Sequence, residues 1–486
     1  MKKKTKRVAI IGGGISGLSS AFYLKNLIEE KGKDIEVVIL EKDSRCGGNI
    51  VTDQVDGFTV DGGPDCFITE KPWALKLCQE MGLAENLVAT NEEKKNVFIL
   101  WKGELHPLPE GFMLLVPTSF MPFILSSLIS PLGKLRVALD LIIPRKKSDE
   151  EESLADFVKR RLGREILEKI AEPLVAGIHA GSPETMSLKS TFPRFIDLEQ
   201  EYGSLIRGMY HRMKSYHKAM RAKNSGEPSY TMFMTLEEGM GGLINKLESI
   251  IDKKSIFLNH SITKIIKISG KSSGNNTTYQ VHGKGGDALT AEAVILATPA
   301  YTSSGFLKEI DKKLAEQLLT IPYISTATVS LAYQNSDLTH PLNGFGFVIP
   351  RKEKREIMAS TWSSVKFLSR APAEKTLLRC FVGGVNSEHL VTLDDKTLES
   401  MVKNELKEIM GIKSQPLFTR IYRWEKSMPQ YTVGHTEKIA LVEDMLDEHP
   451  GLFLTGSGYY GIGISDCVRH ANEVAGQVMD FLKGPE

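Results

Sequence analysis

The chain has 486 residues, too many for one simple hydrophobic core, so we expect two or three domains. Its 61 Lys and Arg nearly balance 60 Asp and Glu, which argues against the broad positive field of a nucleic-acid-binding protein. Five scattered cysteines without a CxxC pair are typical of a reducing cytosol and argue against a disulfide framework or structural zinc. The basic tip at residues 2–7 runs directly into an apolar strand, so we expect a cytosol-facing protein without a secretory signal.

The first motif is a glycine-rich turn between a strand and a helix. Residues 8–11 form an unbroken apolar run, residues 15–31 are predicted to be helical, and residues 35–40 form a second buried strand that ends at Glu41. In such a unit the glycines let a diphosphate approach the helix N-terminus, and the acidic residue accepts hydrogen bonds from a ribose. We therefore predict a dinucleotide site; the alternative is an ordinary βαβ turn. The predicted contacts are Gly12, Gly13, Gly14, Ile15, Ser16, Gly17 and Glu41.

The residues after Glu41 favour FAD over NAD. The stretch from Glu41 to Asn49 resembles the E-x-x-x-R-x-G-G stretch of amine-oxidase-type flavoproteins, which lies along the pyrophosphate and flavin ring. The resemblance implies that Glu41 binds the adenosine ribose and that Arg45 lies near the flavin end. The alternative for Arg45 is a solvated loop arginine. Residues 57–61 then alternate like a strand and turn at Gly62-Gly63, where backbone without Cβ atoms can approach a flat ring.

Residues 111–133 carry no charge over 23 positions. Their length alone allows a membrane span, but Pro117, Pro122 and Pro131 interrupt a helix there. Two alternatives stay open for this stretch: a monotopic membrane contact, or a hydrophobic substrate tunnel or plain core. Outside this stretch, we predict helices at residues 71–81 and 153–170. We also predict a solvated helix and loop at residues 213–229.

The second half of the chain returns to the first domain. Residues 293–299 are predicted to be a further buried strand of the parallel type with a tight exit. Residues 327–388 alternate in short strands typical of a mixed sheet. Near the C-terminus, the strand at residues 451–456 leads through a glycine-rich turn into a helix that ends at Leu482. The N-terminus of that helix suits negative charge on a reduced flavin. We therefore expect the FAD domain to be built from three separate segments.

Several stretches together resemble the porphyrinogen oxidase family of the monoamine-oxidase superfamily. They are Glu172-Pro173 with Gly177-Ile178 and Ala180-Gly181, Arg370-Ala371-Pro372, residues 379–384, Trp424, the Pro429-x-Tyr431-x-x-Gly434-His435 stretch, and residues 461–468. The implied fold is α/β: a glutathione-reductase-type, Rossmann-like FAD domain, a mixed-sheet substrate domain and a helical domain that contacts a membrane or lines a tunnel. The corresponding ranges are 1–90, 230–300 and 425–486 for FAD, 91–110, 195–229 and 301–424 for substrate, and 111–194 for the helices.

The resemblance implies a haem-biosynthesis oxidase that converts protoporphyrinogen IX or coproporphyrinogen III to the porphyrin. Each of three two-electron steps passes a hydride to flavin N5, and three O2 become three H2O2. No side chain is assigned a catalytic role, no metal is expected, and His179 and His435 are interpreted as structural. The implied FAD contacts also include Lys42, Gly48, Asn49, Gly63, Pro64, Asp65, Cys66, Ile262, Trp424, Ile462, Gly463 and Ile464. The implied substrate contacts are the main chain of Gly177 and the ring of Phe381, for which plain core is the alternative.

Two departures from the family pattern matter. Thr455-Gly456-Ser457 replaces a Thr/Ala-Gly-Asp stretch, and Asn96-Val97 stands where plant-type members carry an arginine that pairs with a propionate. Lys95 or Lys102 is hypothesised to take that place. The rival functions are an amine or polyene oxidoreductase and a flavin-free carrier of prenylated GTPases. We expect a cytoplasmic protein. Its expected interactions are a homodimer, contacts with haem-pathway enzymes and contact with the inner face of the cell membrane.

Overall fold

The computed structural model describes residues 5–109, 111–113, 116–117, 120–222, 230–269 and 277–483. Its strands are β1 Lys6–Ile11, β2 Ile35–Leu40, β3 Thr52–Val55, β4 Phe58–Asp61, β5 Phe67–Ile68, β6 Leu87–Ala89, β7 Val97–Trp101, β8 Glu104–Pro107, β9 Phe112–Met113, β10 Val116–Pro117, β11 Phe233–Leu236, β12 Ile256–Phe257, β13 Ile262–Ser269, β14 Thr277–Gly283, β15 Ala288–Ala291, β16 Ala293–Leu296, β17 Tyr323–Gln334, β18 Gly346–Val348, β19 Ile357–Trp362, β20 Lys375–Gly383, β21 Phe418–Pro429 and β22 Leu452–Leu454.

The helices cover both faces of the main sheet and form a separate cluster between residues 120 and 222. They are α1 Ile15–Glu30, α2 Trp73–Glu80, α3 Phe120–Leu125, α4 Pro131–Ala138, α5 Leu154–Arg161, α6 Arg164–Ile166, α7 Glu172–His179, α8 Leu188–Thr191, α9 Pro193–Tyr202, α10 Leu205–Ala222, α11 Gly241–Ile250, α12 Ala300–Leu307, α13 Lys312–Leu319, α14 Ser363–Lys366, α15 Asp395–Met410, α16 His435–Asp447 and α17 Ile464–Lys483.

A parallel sheet with the order β12-β2-β1-β16-β22 forms the centre of the nucleotide-binding half. Its strands read as continuous apolar runs because both faces are buried; Val8, Ile10 and Ile295 are fully inaccessible to solvent. Val8 pairs with Val37 on one side and with Ala293 on the other. Parallel pairing places the carboxyl ends of β1, β2, β16 and β22 at one edge, where ligands bind in folds of this kind.

A second sheet with the order β21-β17-β20-β19-β18-β7-β8 is mixed. Its pairs are antiparallel except that β18 runs parallel to β7, with Gly346 opposite Val97. Buried residues including Val329 and Trp362 form its core. This sheet and the parallel sheet confirm the predicted α/β class. The three domain ranges stay a prediction, and β21 continues to Pro429, past the expected limit at 424.

The helical cluster packs around Phe157, Phe195 and their neighbours. A buried ion pair between Arg161 and Asp140 lies within it, with Nη2 to Oδ1 at 2.5 Å. The outer face of the segment from residue 121 to 142 is different, because it exposes large apolar side chains: Met121, Ile124, Leu125, Leu132, Leu135 and Ile142 are each more than half accessible to solvent. Within the described residues, no helix is long and apolar enough to cross a membrane.

The predicted bounds of two helices were wrong. The helix expected at residues 71–81 begins at Trp73, because Pro72 occupies the position before it. The helix expected at residues 153–170 ends at Arg161, since Gly163 adopts a φ of +96° that continues no α-helix, and a π-helical turn covers Leu167–Ala171. At residues 213–229, α10 extends to Ala222, and residues 223–229 lie outside the described part of the chain. So do residues 110, 114–115 and 118–119 of the uncharged stretch.

Candidate functional site

The turn between β1 and α1 leaves open space at a helix N-terminus. Gly12 has a φ of +104°, and a Cβ on Gly17 would lie 2.0 Å from the Gly12 carbonyl oxygen, so these two positions require glycine. A Cβ on Gly14 would meet nothing within 4 Å. Gly14 is the N-cap of α1 and no side chain caps the helix, which leaves its first N–H groups for a ligand. The turn therefore fits the diphosphate of a dinucleotide.

Glu41 is buried at the end of β2 and fixes this turn. Its Oε2 accepts the Gly13 N–H at 2.6 Å and its Oε1 accepts the Asp43 N–H at 2.9 Å. Each carboxylate oxygen keeps a further acceptor site for a ribose hydroxyl. The Glu41 carbonyl accepts the His260 N–H at 2.7 Å, which places the segment before Ile262 beside this loop. Lys42 is exposed and pairs with Asp43 at 2.9 Å.

Arg45 is exposed, and its guanidinium closes the loop that follows it. It donates to the carbonyls of Cys46, Gly48 and Ile50 at 2.9, 2.7 and 3.1 Å. The loop docks on the first turn because the Gly47 N–H donates to the Gly13 carbonyl at 2.8 Å. The predicted contacts around Gly48 and Asn49 thus lie beside Gly14.

The turn at Gly62-Gly63 is held by three donors from the mixed sheet. The Gly62 carbonyl accepts hydrogen bonds from Thr328 Oγ1 at 2.8 Å, Trp424 Nε1 at 3.0 Å and Arg379 Nη2 at 3.2 Å. Arg379 also donates to the Gly63 carbonyl. A Cβ on Gly63 would lie 1.7 Å from the Asn49 carbonyl oxygen, so the turn touches the Arg45 loop. Predicted contacts from residues 49, 63 and 424 are therefore adjacent.

A buried group of charges lies directly under this turn. Asp61 pairs with Arg370 at 3.0 Å, and Asp65 pairs with Lys366 at 3.0 Å. Burial opposes ionisation of Asp65, but Lys366 and Arg379 outweigh it and hold the pKa of Asp65 well below its usual range. Burial raises the pKa of the neighbouring Cys66 thiol to about 12, so this cysteine is not a thiolate nucleophile at neutral pH. Pro64 connects Gly63 to this group.

The C-terminal glycine loop lies between β22 and α17. Gly461 adopts a φ of +131°, and its position leaves no room for a Cβ, which would lie 2.4 Å from the Asp466 side chain. Asp466 accepts from Lys71 Nζ at 2.7 Å. These residues line a small cavity of about 50 Å³ together with His179, Gln430, Tyr431 and Ile462. Gly463 and Ile464 continue from the loop into the first turn of α17.

The two predicted substrate residues come from different elements that meet near this cavity. Gly177 lies in α7, and a Cβ there would be 3.3 Å from Val348 of the mixed sheet. Phe381 lies in β20 with the Arg379 guanidinium 4.9 Å from its ring. The segments that follow α7 and β20 are in contact, because the Val385 N–H donates to the Ala180 carbonyl at 3.1 Å. Their roles stay a prediction, as do the roles of the predicted FAD contacts.

Lys95 and Lys102, the hypothesised propionate anchors, are both exposed. Lys95 is exposed and pairs with Glu92 at 3.3 Å, and the Lys102 N–H donates to Glu353 at 2.8 Å. Sequence reasoning missed Lys366 and the roles of Arg379 and Tyr431. Residues 379 and 431 stand within family-like stretches, but Lys366 carries no local signal.

Across the described residues, no group of three or more His, Cys, Asp or Glu side chains is placed to hold a metal ion.

Comparison with known proteins agrees with this geometry. Residues 15–479 match the family described as flavin containing amine oxidoreductase. Coproporphyrinogen III oxidase of Bacillus subtilis (strain 168) is 35% identical over 484 residues, covering 99% of this chain and 100% of the relative. Protoporphyrinogen oxidase 1, chloroplastic, of Arabidopsis thaliana is 29% identical, covering 98% and 89%. A crystal structure from Exiguobacterium sp. 255-15, described as a protoporphyrinogen oxidase, superposes with a TM-score of 0.83 at 32% identity, covering 99% of each chain.

These matches confirm the predicted family and cofactor. The open glycine turn, the uncapped N-terminus of α1 and the buried Glu41 fit the diphosphate and ribose of FAD. The chain therefore belongs to the flavin containing amine oxidoreductase family, and it is an oxidoreductase whose cofactor is FAD.

Proposed function

We propose that this chain oxidises a porphyrinogen in haem biosynthesis and that its substrate is coproporphyrinogen III. The observation that carries the proposal is similarity over the whole chain. Relatives named coproporphyrinogen III oxidase from three bacteria are 31–35% identical over 97–99% of it. The plant relatives named protoporphyrinogen oxidase are 24–29% identical. Protoporphyrinogen IX is the second substrate to test, because the Exiguobacterium structure is described by that activity.

The reaction balances without a catalytic side chain. A porphyrinogen loses six electrons and six protons and becomes the porphyrin, while three O2 become three H2O2. Bound FAD would supply the two-electron acceptor for each step. The chain then has three tasks: it holds the diphosphate at α1, orients the flavin between the Gly62-Gly63 turn and the C-terminal loop, and excludes water from the macrocycle. The neutral side chains of His179 and His435 fit this division, since burial lowers the pKa of each to about 4.

Anaerobic stopped-flow reduction tests the proposal. We expect coproporphyrinogen III to bleach the flavin absorbance of the purified holoprotein rapidly, and H2O2 to form when air is admitted. Faster bleaching by protoporphyrinogen IX would reassign the substrate within the same reaction. Bleaching by an amine or a polyene, with neither porphyrinogen active, would contradict the proposal. A protein that releases no flavin on denaturation would instead favour a carrier. The Gly14→Ala variant, expected to lack FAD, is the matched negative control.

We further propose that the apolar face at residues 121–142 contacts an anionic membrane surface. At least six large apolar side chains are exposed there, and the basic run Arg145-Lys146-Lys147 follows directly, with Arg145 and Lys147 exposed. Apolar side chains flanked by basic ones suit a helix that lies in the interface of an anionic bilayer.

Sedimentation with vesicles tests this contact. Wild-type protein should sediment with phosphatidylglycerol vesicles more than with phosphatidylcholine vesicles, and Leu125→Glu with Ile142→Glu should abolish the difference. Leu319→Glu, at an exposed leucine outside this face, is the control and should sediment like wild type. Equal sedimentation of wild type and the double variant would contradict the proposal. A change from dimer to monomer mass in the double variant would instead assign the face to a homodimer.

A further inference from the structure

The Pro429-x-Tyr431-x-x-Gly434-His435 stretch has no role in the chemistry described so far. It connects the end of β21 to the start of α16 and lies against the C-terminal glycine loop. Both aromatic residues of the stretch are buried: Tyr431 is 8% accessible and His435 is 2% accessible. Tyr431 Oη and His435 Nε2 form hydrogen bonds with that loop.

Tyr431 joins the two ends of the glycine loop. Its hydroxyl donates to the Ser457 carbonyl at 2.7 Å and accepts the Gly461 N–H at 2.7 Å. A phenol has one hydrogen to donate, so this geometry uses that hydrogen and an acceptor site on backbone groups four residues apart. Gly461 is itself a positive-φ glycine, and its partly buried N–H donates to this hydroxyl. Loss of the hydroxyl would leave that donor without this partner.

His435 holds the middle of the same loop. Its ring stacks on the Tyr431 ring with centroids 3.9 Å apart and planes 13° apart. Its Nε2 lies 3.1 Å from the Tyr459 carbonyl oxygen. Because that partner is a carbonyl, the ring hydrogen is on Nε2 and the histidine is the donor. Two side chains of one short stretch thus bind three backbone groups of the loop.

The other side of the stretch is attached to the helical cluster. The Ser187 N–H donates to the Tyr431 carbonyl at 2.8 Å, and the Val433 N–H donates to the Thr185 carbonyl at 3.0 Å. The Gly434 N–H donates to the Glu151 carboxylate at 2.6 Å. The stretch is therefore held by contacts that do not involve the loop, and it can act as a rigid support for the loop.

The loop itself has little freedom to adjust. A Cβ on Gly458 would lie 2.4 Å from Tyr323 Oη, and one on Gly461 would lie 2.4 Å from Asp466. The loop passes from its supported part, residues 457–461, directly into Ile462, Gly463 and the first residue of α17. A shift at Gly461 would therefore move Ile462, Gly463 and the N-terminus of α17, which are predicted to contact the flavin.

We propose that Tyr431 is a positioning residue for FAD: it holds the glycine loop in the flavin-binding conformation, with His435 as its support. The proposal depends on the family's cofactor and not on the identity of the substrate. It also explains why the stretch combines a tyrosine and a histidine at a spacing of four, which places the two rings in contact at the start of α16.

FAD titration of the apoprotein tests the proposal. Tyr431→Phe keeps the ring and removes both hydrogen bonds, so we expect the Kd for FAD to rise roughly tenfold or more. Backbone amide hydrogens at residues 461–464 of the apoprotein should also exchange faster. The control is Tyr279→Phe. Tyr279 is also buried, and its hydroxyl hydrogen is shared between the carbonyls of His449 and Pro450, both at 3.1 Å, outside residues 457–461 of the loop. This control should lower the Tm and leave the Kd for FAD unchanged.

A Kd for FAD within twofold of wild type in Tyr431→Phe would overturn the proposal, as would an equal loss of affinity in Tyr279→Phe. If Tyr431→Phe does not fold, the same titration of His435→Phe decides. That variant keeps the stacked ring and removes the donor to Tyr459, so a roughly threefold or larger rise in Kd is expected. An unchanged Kd would contradict the supporting role of His435 and, with it, the proposed assembly. Neither readout requires turnover, so failure here is distinguishable from failure of the porphyrinogen assignment.

Discussion

At the scale of single residues, buried charges stabilise the Gly62-Gly63 turn, which is predicted to contact the flavin. Arg370 is 1% accessible and donates to Asp61, the residue that immediately precedes Gly62. Burial raises the pKa of the Asp61 carboxyl, and Arg370 opposes that rise. Asp61 also accepts from the Met240 N–H at 2.9 Å. One ion pair therefore connects the end of β4 to the segment that precedes β20.

We predict that Arg370→Met lowers the free energy of unfolding of the apoprotein by about 3–5 kcal/mol, because it leaves Asp61 buried without its partner. Adding Asp61→Asn should recover part of that loss, since no buried charge then lacks a counterion. Urea unfolding of the two single variants and the double variant measures both effects. Strictly additive losses would show that the two side chains are not energetically coupled.

This pair also illustrates what sequence reasoning could not reach. Arg370 stands in a stretch that was singled out only through a family resemblance, and Asp61 lies 309 positions away. Lys366 and Asp65 are separated by a similar distance. Local patterns carry no information about such partners, because burial and pairing arise only when β4 and the segment after it pack against the mixed sheet.

At the scale of elements, the β1–α1 unit separates two roles of glycine within one motif. Gly17 packs against the backbone of Gly12, whereas Gly14 faces open space with an ordinary negative φ. Gly17 is needed for the fold of the turn, and Gly14 leaves room for the ligand.

We therefore expect opposite outcomes from two alanine substitutions. Gly17→Ala should lower the Tm of the apoprotein, because its Cβ would lie 2.0 Å from a carbonyl oxygen. Gly14→Ala should leave the apoprotein Tm within about 1–2 °C of wild type, since little changes in packing or backbone strain. The same variant should lose most of its bound FAD, because the new methyl group fills the diphosphate space. Differential scanning fluorimetry and flavin release on denaturation measure the two properties, and retention of FAD by Gly14→Ala would place the diphosphate elsewhere.

At the scale of the whole molecule, buried neutral histidines make the fold sensitive to acid. Burial lowers the pKa of both His435 and His470 to about 4. His470 lies in α17, with its Nδ1 3.2 Å from Thr455 Oγ1 of the C-terminal loop. Both residues thus couple protonation to the same region of the fold.

We expect the free energy of unfolding to fall as the pH decreases from about 6.5 to about 4. In this window the unfolded chain binds protons on these histidines and the folded chain does not, so acid favours unfolding. One pKa unit corresponds to about 1.4 kcal/mol, so the two residues together contribute on the order of a few kcal/mol. Urea unfolding at pH 7.5 and pH 5 measures the difference. His470→Asn should reduce it, and an equal difference in that variant would exclude His470 as a contributor.

The sequence by itself determined the nucleotide-binding unit, the second glycine loop and the α/β class. These features depend on local rules: apolar runs form buried strands, and glycines mark turns where a helix N-terminus meets a ligand. The choice of FAD came instead from the resemblance of residues 41–49 to amine-oxidase-type flavoproteins. The sequence did not determine the helix limits. The apolar pattern extends beyond Pro72 and Gly163, whereas α2 begins after Pro72 and α5 ends before Gly163.

Only the tertiary structure decided which side chains hold the site together. The bond from Tyr431 to Gly461, the donors to the Gly62 carbonyl and the pair of Asp65 with Lys366 each join residues at least 30 positions apart. Their strength comes from burial, which raises the cost of leaving any of these groups unpaired. Burial is a property of the packed sheets and helices, so no segment of the chain encodes it alone.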